Sequence, residues 1–282
     1  MNILIAGAGY VGLELGRKLT ALGNVVTGWV ASPESARQVN DAGMSPLCAD
    51  LTDEKSWHKV DLDWDVIYYC ASSSHGGIEG YEKIYRDGLR QALSHVRGRF
   101  IYTSSTSVYG QDSGEWVVED AETEPLVETG KILVTAERDV LASGGFVTRL
   151  AGIYGPNRCV HLRMFAEGRA TLEGNGERWI NQIHRDDIVS ALVLLSKVST
   201  DFRVFNVSDD APTQQRELYA WICQHFSFPA PIQMEAPQNR KRGLTSKRIS
   251  NARLHSLGWK PEFPSFREGY PTAAPGILAH GF

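Results

Sequence analysis

The sequence predicts an α/β fold in which a parallel sheet is doubly wound with helices on both faces, followed by a smaller C-terminal lobe. Three observations predict it. Short apolar runs alternate with helical patterns through the first half of the 282-residue chain. Several of those runs are apolar at nearly every position, as strands are when helices cover both faces of a sheet. A glycine cluster joins the first run to the first helical pattern, where such folds make a tight strand-to-helix turn.

The runs that read as strands are Ile3–Ala6, Val25–Val30, Ser45–Ala49, Val66–Ala71, Phe100–Ser104 and Phe146–Leu150. Between them, apolar residues recur at helical spacing over 10–22, 34–42, 78–96 and 127–142. The crossovers should be right-handed. The pattern changes after residue 155, where Pro156-Asn157 and Gly174-Asn175-Gly176 punctuate the chain. His184–Lys197 reads as a helix with Ile188, Ala191, Leu192 and Leu195 on one stripe, and Phe202–Val207 as a further strand. The rest carries two further segments, Leu218–Phe226 and Asn251–Leu257, among many loops. Residues 1–155 are expected to form the sheet domain. Residues 156–282 should form mostly the lobe, with segments returning to the sheet and a cleft between the two.

Composition bounds the function. Hydrophobic residues make up 42%, enough for a sizeable core, while 22% are charged and the net charge is −4. A near-balanced surface gives no reason to expect nucleic acid or an acidic membrane as partner. Cys48, Cys70, Cys159 and Cys223 stand at neither zinc-ligand nor C-x-x-C spacing, so no metal is expected and the thiols read as reduced. Met1-Asn2 runs straight into the first strand without the basic and apolar regions of a signal peptide. No stretch reaches the roughly 18 apolar residues that span a bilayer. The expectation is a soluble, cytoplasmic protein.

Gly7-Ala8-Gly9-Tyr10-Val11-Gly12 is a G-x-G-x-x-G between an apolar strand and a helix containing Leu15, Leu19 and Leu22. The first glycine permits the turn, the second lets a pyrophosphate approach the backbone, and the third lets helix pack on strand. The helix start offers N–H groups and partial positive charge to the phosphates. This is the fingerprint of a Rossmann-type domain that binds NAD or NADP, although the pattern alone also fits a flavin or another nucleotide. NAD-binding domains usually place a carboxylate at the end of the second strand, about 20 residues on, to hold the ribose 2′-OH. Here that strand ends Gly28-Trp29-Val30-Ala31-Ser32, with no carboxylate. Ser32, with Arg37, could meet a 2′-phosphate, which tilts the reading toward NADP. Ser32 before Pro33 also suits a helix cap, and the two roles are compatible.

Further segments resemble the extended short-chain dehydrogenase/reductases, in their NAD-dependent epimerase/dehydratase branch, through nearly the whole length. Asp50-Leu51 is similar to the family's adenine-contacting pair, and Tyr69-Cys70-Ala71-Ser72 to its ribose-side segment, with Ala71 and Ser72 on the cofactor. Ser104-Ser105-Thr106-Ser107-Val108-Tyr109-Gly110 resembles the serine motif. Arg149 to Pro156 resembles the Arg…Tyr-Gly-Pro segment, which implies Tyr154 beside the nicotinamide. Ile183-His184-Arg185-Asp186-Asp187, Phe205-Asn206-Val207 and Leu257-Gly258-Trp259-Lys260-Pro261 resemble its later marks. The resemblance implies chemistry by a serine, a tyrosine and a lysine, the last two as Tyr-x-x-x-Lys on one helix face, because hydride transfer at a carbinol needs a matched proton transfer.

Ser105 matches the serine, but the helix reads Thr129-Gly130-Lys131-Ile132-Leu133-Val134-Thr135-Ala136-Glu137. One register puts Thr129 at the tyrosine and Leu133 at the lysine; the other, set on Lys131, puts Val127 at the tyrosine. No tyrosine lies between Tyr109 and Tyr154. The candidate catalytic set is therefore Ser105, Thr129 and Lys131, with Thr129 unable to act as an acid near neutral pH and Lys131 reading more readily as an exposed helix residue than as a contact of the nicotinamide ribose. Arg158, His161 and Arg163, with Trp179 and Asn181, are the substrate candidates; the arginines suit a phosphate or carboxylate, and solvated charges are the competing reading. The Arg240-Lys241-Arg242 run is a weaker candidate, and His184 reads as structural. Two functions stay open: a reductase, epimerase or dehydratase of a small polar substrate, sugar-like ones included, and a non-catalytic NADP(H)-binding regulatory or redox-sensing protein. The family resemblance also makes a homodimer an option.

Overall fold

The computed structural model describes residues 1–73, 77–235 and 245–279. Seven strands form the central sheet: β1 (Asn2–Ala6), β2 (Val25–Val30), β3 (Ser45–Cys48), β4 (Asp63–Tyr69), β5 (Arg97–Ser105), β6 (Phe146–Leu150) and β7 (Val204–Val207). Their order is β7-β6-β5-β4-β1-β2-β3. β3, β2, β1, β4 and β5 pair in parallel, with Ile3 opposite Val26 on one side and Val66 on the other. Ile3, Leu4, Ile5 and Ala6 are all fully buried. That is why the strand reads as a continuous apolar run rather than an alternating one.

Two compact units divide the chain. Unit 1 comprises Met1–Val108, Thr123–Arg149 and Val189–Phe205; unit 2 comprises Tyr109–Glu122, Leu150–Ile188 and Asn206–Phe282. In unit 1, α1 (Tyr10–Ala21) buries Leu15 and Leu19 at helical spacing, each worth about 1.5–3 kcal/mol of apolar burial. α2 (Pro33–Asp41) starts on a Ser32 cap, and α3 (Glu128–Ala142) buries Leu133, Val134, Ala136, Glu137 and Val140.

The helical pattern expected over 78–96 is real but not uniform. An α-helix over Gly77–Tyr81 gives way to a π-helix over Glu82–Gly88 and resumes as α over Leu89–His95. The Tyr69 hydroxyl, at the end of β4, donates to the Ile84 carbonyl at 2.6 Å and so competes with the helix for that acceptor. At Gly88 the backbone runs so close to the sheet that a Cβ would sit 2.9 Å from the same hydroxyl. Tyr81, Tyr85, Tyr102 and Tyr69 meet one after another in tilted and edge-to-face contacts.

Unit 2 is built on short pairings. Gly152–Tyr154 pairs in parallel with Gln182–His184, Thr171–Glu173 with Ile232–Met234, and Trp116–Val117 with Arg248–Ile249; Trp179–Ile180 pairs antiparallel with Thr213–Gln214. Its core gathers residues of α4 (Val160–Ala166), α6 (Gln215–Phe226) and α7 (Phe266–Leu278), among them Leu162, Phe165, Tyr219, Ile222, Phe266 and Tyr270. Between them in sequence, the helix expected from His184 runs as α5 (Arg185–Leu195). The sequence reading missed α7, which carries Pro271 and Pro275 inside it. Proline normally breaks a helix, but this one is capped by Ser265 and buries Phe266, Tyr270, Ala273, Ala274 and Ile277 on one face. Among the described residues no helix is long and apolar enough to cross a membrane, and no group of three His, Cys, Asp or Glu is placed to hold a metal ion.

Candidate functional site

The three glycines of the loop after β1 take three different geometries. Gly7 has φ +94°, and a Cβ there would lie 2.3 Å from the Ala71 backbone. Only glycine fits such a turn, packed against the chain leaving β4. The Gly7 and Ala8 amides donate to the Trp29 carbonyl at 3.1 and 2.9 Å, tying the loop to β2. Gly12 fits α1 against the sheet, because a Cβ would meet the Gly7 carbonyl oxygen at 2.5 Å and Ile5 at 3.0 Å. Gly9, the N-cap of α1, differs: nothing lies within 4 Å of the position its Cβ would take. The loop thus has an open side at Gly9, beside the helix start at Tyr10 and Val11, and the first turn carries no acidic residue to repel an anion. A pyrophosphate fits this cradle.

The other cofactor candidates line the same unit. The Ser32 hydroxyl accepts from the Ser35 amide at 3.2 Å and donates to the Ser35 hydroxyl at 3.0 Å. The cap is therefore real, and the half-buried oxygen keeps one lone pair. Arg37 is exposed on α2 and lines an open groove of about 500 Å3 with Pro33, Asn40 and Cys48. Asp50 is exposed, and its carboxylate accepts from the Thr52 amide and hydroxyl at 2.9 and 2.8 Å. Leu51 is half-buried against Gly88, Ala71 is buried under the glycine loop and Ser72 is exposed.

Ser105 ends β5, half-buried, and its hydroxyl accepts from the Ser107 amide at 3.2 Å. The first turn of α3 packs there: a Cβ on Gly130 would stand 3.3 Å from the Ser107 carbonyl oxygen. The structure thus brings the Ser105 segment and the Thr129 turn together. Lys131 points away, 63% exposed, and pairs with Glu128 at 3.1 Å. Leu133 is buried.

Behind Ser105 lies a group whose role the sequence reading missed. The Ser104 hydroxyl donates to Glu137 at 2.6 Å, and Arg149 grips the same carboxylate through Nε at 3.0 Å and Nη2 at 2.7 Å. Both charged side chains are more than nine-tenths buried. This cluster fixes β5, α3 and β6 to one another just below the serine.

In unit 2, Arg158 and Arg163 are exposed, Arg163 donating to the Asn157 carbonyl at 3.2 Å. His161 sits near Tyr219, Nδ1 to hydroxyl 3.2 Å; burial first, and then Arg178, push its pKa down to about 4, so the ring is neutral. Trp179 and Asn181 belong together at another place. Asn181 donates to the Lys247 carbonyl at 2.8 Å and accepts from the Ile249 amide at 2.7 Å, so both ends of its amide hold the 247–249 segment. Trp179 lies 5.0 Å from the Arg248 guanidinium. Tyr154 is buried, its hydroxyl directed at the Ser265 carbonyl and its acidity suppressed chiefly by burial. His184 is fully buried: Nδ1 accepts from the Asp186 amide at 3.2 Å and Nε2 faces the Thr272 hydroxyl at 3.0 Å. The Arg240-Lys241-Arg242 run lies outside the described residues.

Lys247 had no sequence signal beyond a Lys-Arg pair that reads as solvated. It is 5% exposed and donates to the Tyr109 carbonyl at 2.9 Å and to Thr245, and burial pushes its pKa down to about 8.

The model of the NAD dependent epimerase/dehydratase family matches residues 3–208. Protein YeeZ of Escherichia coli K12 is 26% identical over 273 residues, covering 93% of this chain and 96% of that one. Two solved structures share the fold at 18% identity with 99% of each chain covered: UDP-glucose 4-epimerase of Thermotoga maritima with UDP-glucose, at a TM-score of 0.83, and UDP-glucuronic acid 4-epimerase of Bacillus cereus with UDP-glucuronic acid and NAD, at 0.81.

Proposed function

Because the chain belongs to the NAD-dependent epimerase/dehydratase family, we propose that it binds NAD(P) on the Gly7–Gly12 loop and serves a reductase, epimerase or dehydratase reaction on a small polar, sugar-like substrate. The observation that carries this reading is the open side of Gly9 at the start of α1. The backbone amides there take the pyrophosphate. Ser32 and Arg37 take a 2′-phosphate, and so favour NADP over NAD. When bound, the nicotinamide supplies or accepts a hydride. Ser105 holds the substrate oxygen at which the proton must move. Thr129 lends at most a neutral hydrogen bond, so the proton comes from water or from the substrate itself. Arg158 and Arg163 hold an anionic part of the substrate. The solved sugar-nucleotide epimerases of the same fold support a sugar-nucleotide class.

Calorimetric titration of the protein with NAD+, NADH, NADP+ and NADPH tests the first half. One pair should bind, and Gly9→Val should abolish that binding with the fold intact. Binding by none of the four overturns the reading. Turnover on a panel of UDP- and dTDP-sugars with the bound cofactor tests the second half, and Ser105→Ala should abolish it; unchanged turnover removes Ser105 from the chemistry.

One observation favours a second reading, a non-catalytic cofactor-binding protein. The helix that would carry the acid/base pair has buried Leu133 and outward-facing Lys131 instead. Cofactor binding without turnover of any panel member would select it.

A further inference from the structure

We propose a second ligand site in unit 1, a cavity that takes a phosphate group, at the opposite end of the strands from the glycine loop. Its volume is about 250 Å3, and its walls come from the start of β5 (Gly98, Arg99), the turn into β6 (Ser143 to Phe146) and the segment before β7 (Ser199, Thr200, Arg203). The glycine loop follows the C-terminal end of β1, whereas this cavity lies where β5, parallel to β4 and β1, begins.

The chemistry of the walls points to an anion. Two arginines line the cavity and no aspartate or glutamate does. Both guanidiniums lie over the one Phe146 ring, Arg99 at 5.3 Å and Arg203 at 4.9 Å from its centroid. Two positive charges thus line one cavity with no acidic partner among the described residues. Each arginine is anchored through a single nitrogen. Arg99 Nη1 donates to the Leu195 and Val198 carbonyls at 3.0 and 2.7 Å, capping the end of α5, and Arg203 Nη1 donates to the Thr200 and Phe202 carbonyls. Capping accounts for one nitrogen of Arg99 and leaves Nε and Nη2 of both side chains unused. Arg203 is exposed, and the unused donors of Arg99 are not among the enclosed unpartnered atoms. Anchoring by one nitrogen pre-organises the fork at little further entropic cost, and a guanidinium fork matches the oxygens of a phosphate. The Ser199 and Thr200 hydroxyls supply neutral donors at the same wall, and a Cβ on Gly144 would meet nothing within 4 Å. The cavity suits a small phosphate monoester or free phosphate. Because it lies in no part of the proposed cofactor or substrate chemistry, the inference stands apart from that reading.

The test uses the full-length protein, with inorganic phosphate and ribose 5-phosphate titrated calorimetrically against sodium chloride of matched ionic strength. The expected result is one saturable phosphate event, weakened at least tenfold in Arg203→Ala and retained in Gly9→Val. Tighter binding of ribose 5-phosphate identifies a monoester as the ligand; equal binding identifies the free ion. Arg99→Lys keeps a donor for the α5 carbonyls but not the fork, and should weaken binding while leaving the thermal midpoint within a few degrees. Absence of a saturable event overturns the proposal. So does binding that survives Arg203→Ala and is lost in Gly9→Val, which would place the phosphate on the glycine loop.

Discussion

Replacing Glu137 by alanine removes the carboxylate that the Arg149 guanidinium grips in the interior of unit 1. In the native fold the carboxylate accepts from Arg149 Nε at 3.0 and 3.2 Å, from Nη2 at 2.7 Å and from the Ser104 hydroxyl at 2.6 Å. Its side chain is 3% exposed and that of Arg149 is 7%, so water cannot replace the lost acceptor. Hydrogen bonds to a charged group contribute about 1.5–3 kcal/mol each, and breaking a buried pair from one side costs about 3–5 kcal/mol because no carboxylate then offsets the buried guanidinium charge. For a chain of this size a loss of about 4 kcal/mol lowers the thermal midpoint by roughly 8–16 °C. Urea unfolding followed by circular dichroism measures the loss directly. The paired replacement of Glu137 by Leu and Arg149 by Met should recover most of it, since apolar side chains of similar volume avoid the desolvation of both charges. A Glu137→Ala protein within about 1 kcal/mol of wild type would refute the reasoning and mean that water reaches the guanidinium.

Three further outcomes are expected. Gly12→Ala should destabilise by about 1–3 kcal/mol through its contact with the Gly7 carbonyl, whereas Gly9→Ala should stay within about 0.5 kcal/mol; equal losses in urea unfolding would contradict the separate roles of the two glycines. Lys247 has a folded pKa of about 8 against an ordinary 10.5. Between those values the unfolded chain holds a proton that the folded chain does not, so stability rises with pH there, on the order of 3 kcal/mol in total. Wild type should therefore gain relative to Lys247→Met from pH 8 to 10.5, and parallel curves would rule this out. The His184 pKa is lowered to about 4, chiefly by burial, so its contribution is present above pH 6.5 and is lost as pH falls through 4. An NMR titration of its ring should have its midpoint near 4; one near 6.5 would show that the ring is hydrated.

The strands were legible because burial on both faces writes a continuous apolar run, and the glycine loop because a turn, a close approach and a packing contact each demand the same residue. The features that escaped depend on contacts distant in sequence. The prolines of α7 argue against a helix until its buried aromatic face is seen. Glu137 and Lys247 have the types of solvated surface residues, and only the folded chain reveals their burial. The two- and three-residue strands of unit 2 are too short to carry a period. At the candidate site, the spacing located Ser105 and the altered helix, but not the direction of Lys131, which follows from its place on the exposed face of α3.

The π-helix over Glu82–Gly88 also bears on how this chain can change length. A π turn closes its hydrogen bonds one residue later than an α turn, so it accommodates an extra residue without breaking the helix on either side. The extra length is held in place by Tyr69 and by the bare backbone of Gly88. Insertions and deletions in this lineage should therefore collect within 82–88, where a lost residue converts the run to α-helix. The α-helix over Leu89–His95, which buries Leu89 and Ala92, should keep its length. A one-residue deletion within 82–88 paired with Tyr69→Phe would remove the extra residue and the hydroxyl that favours it in one step.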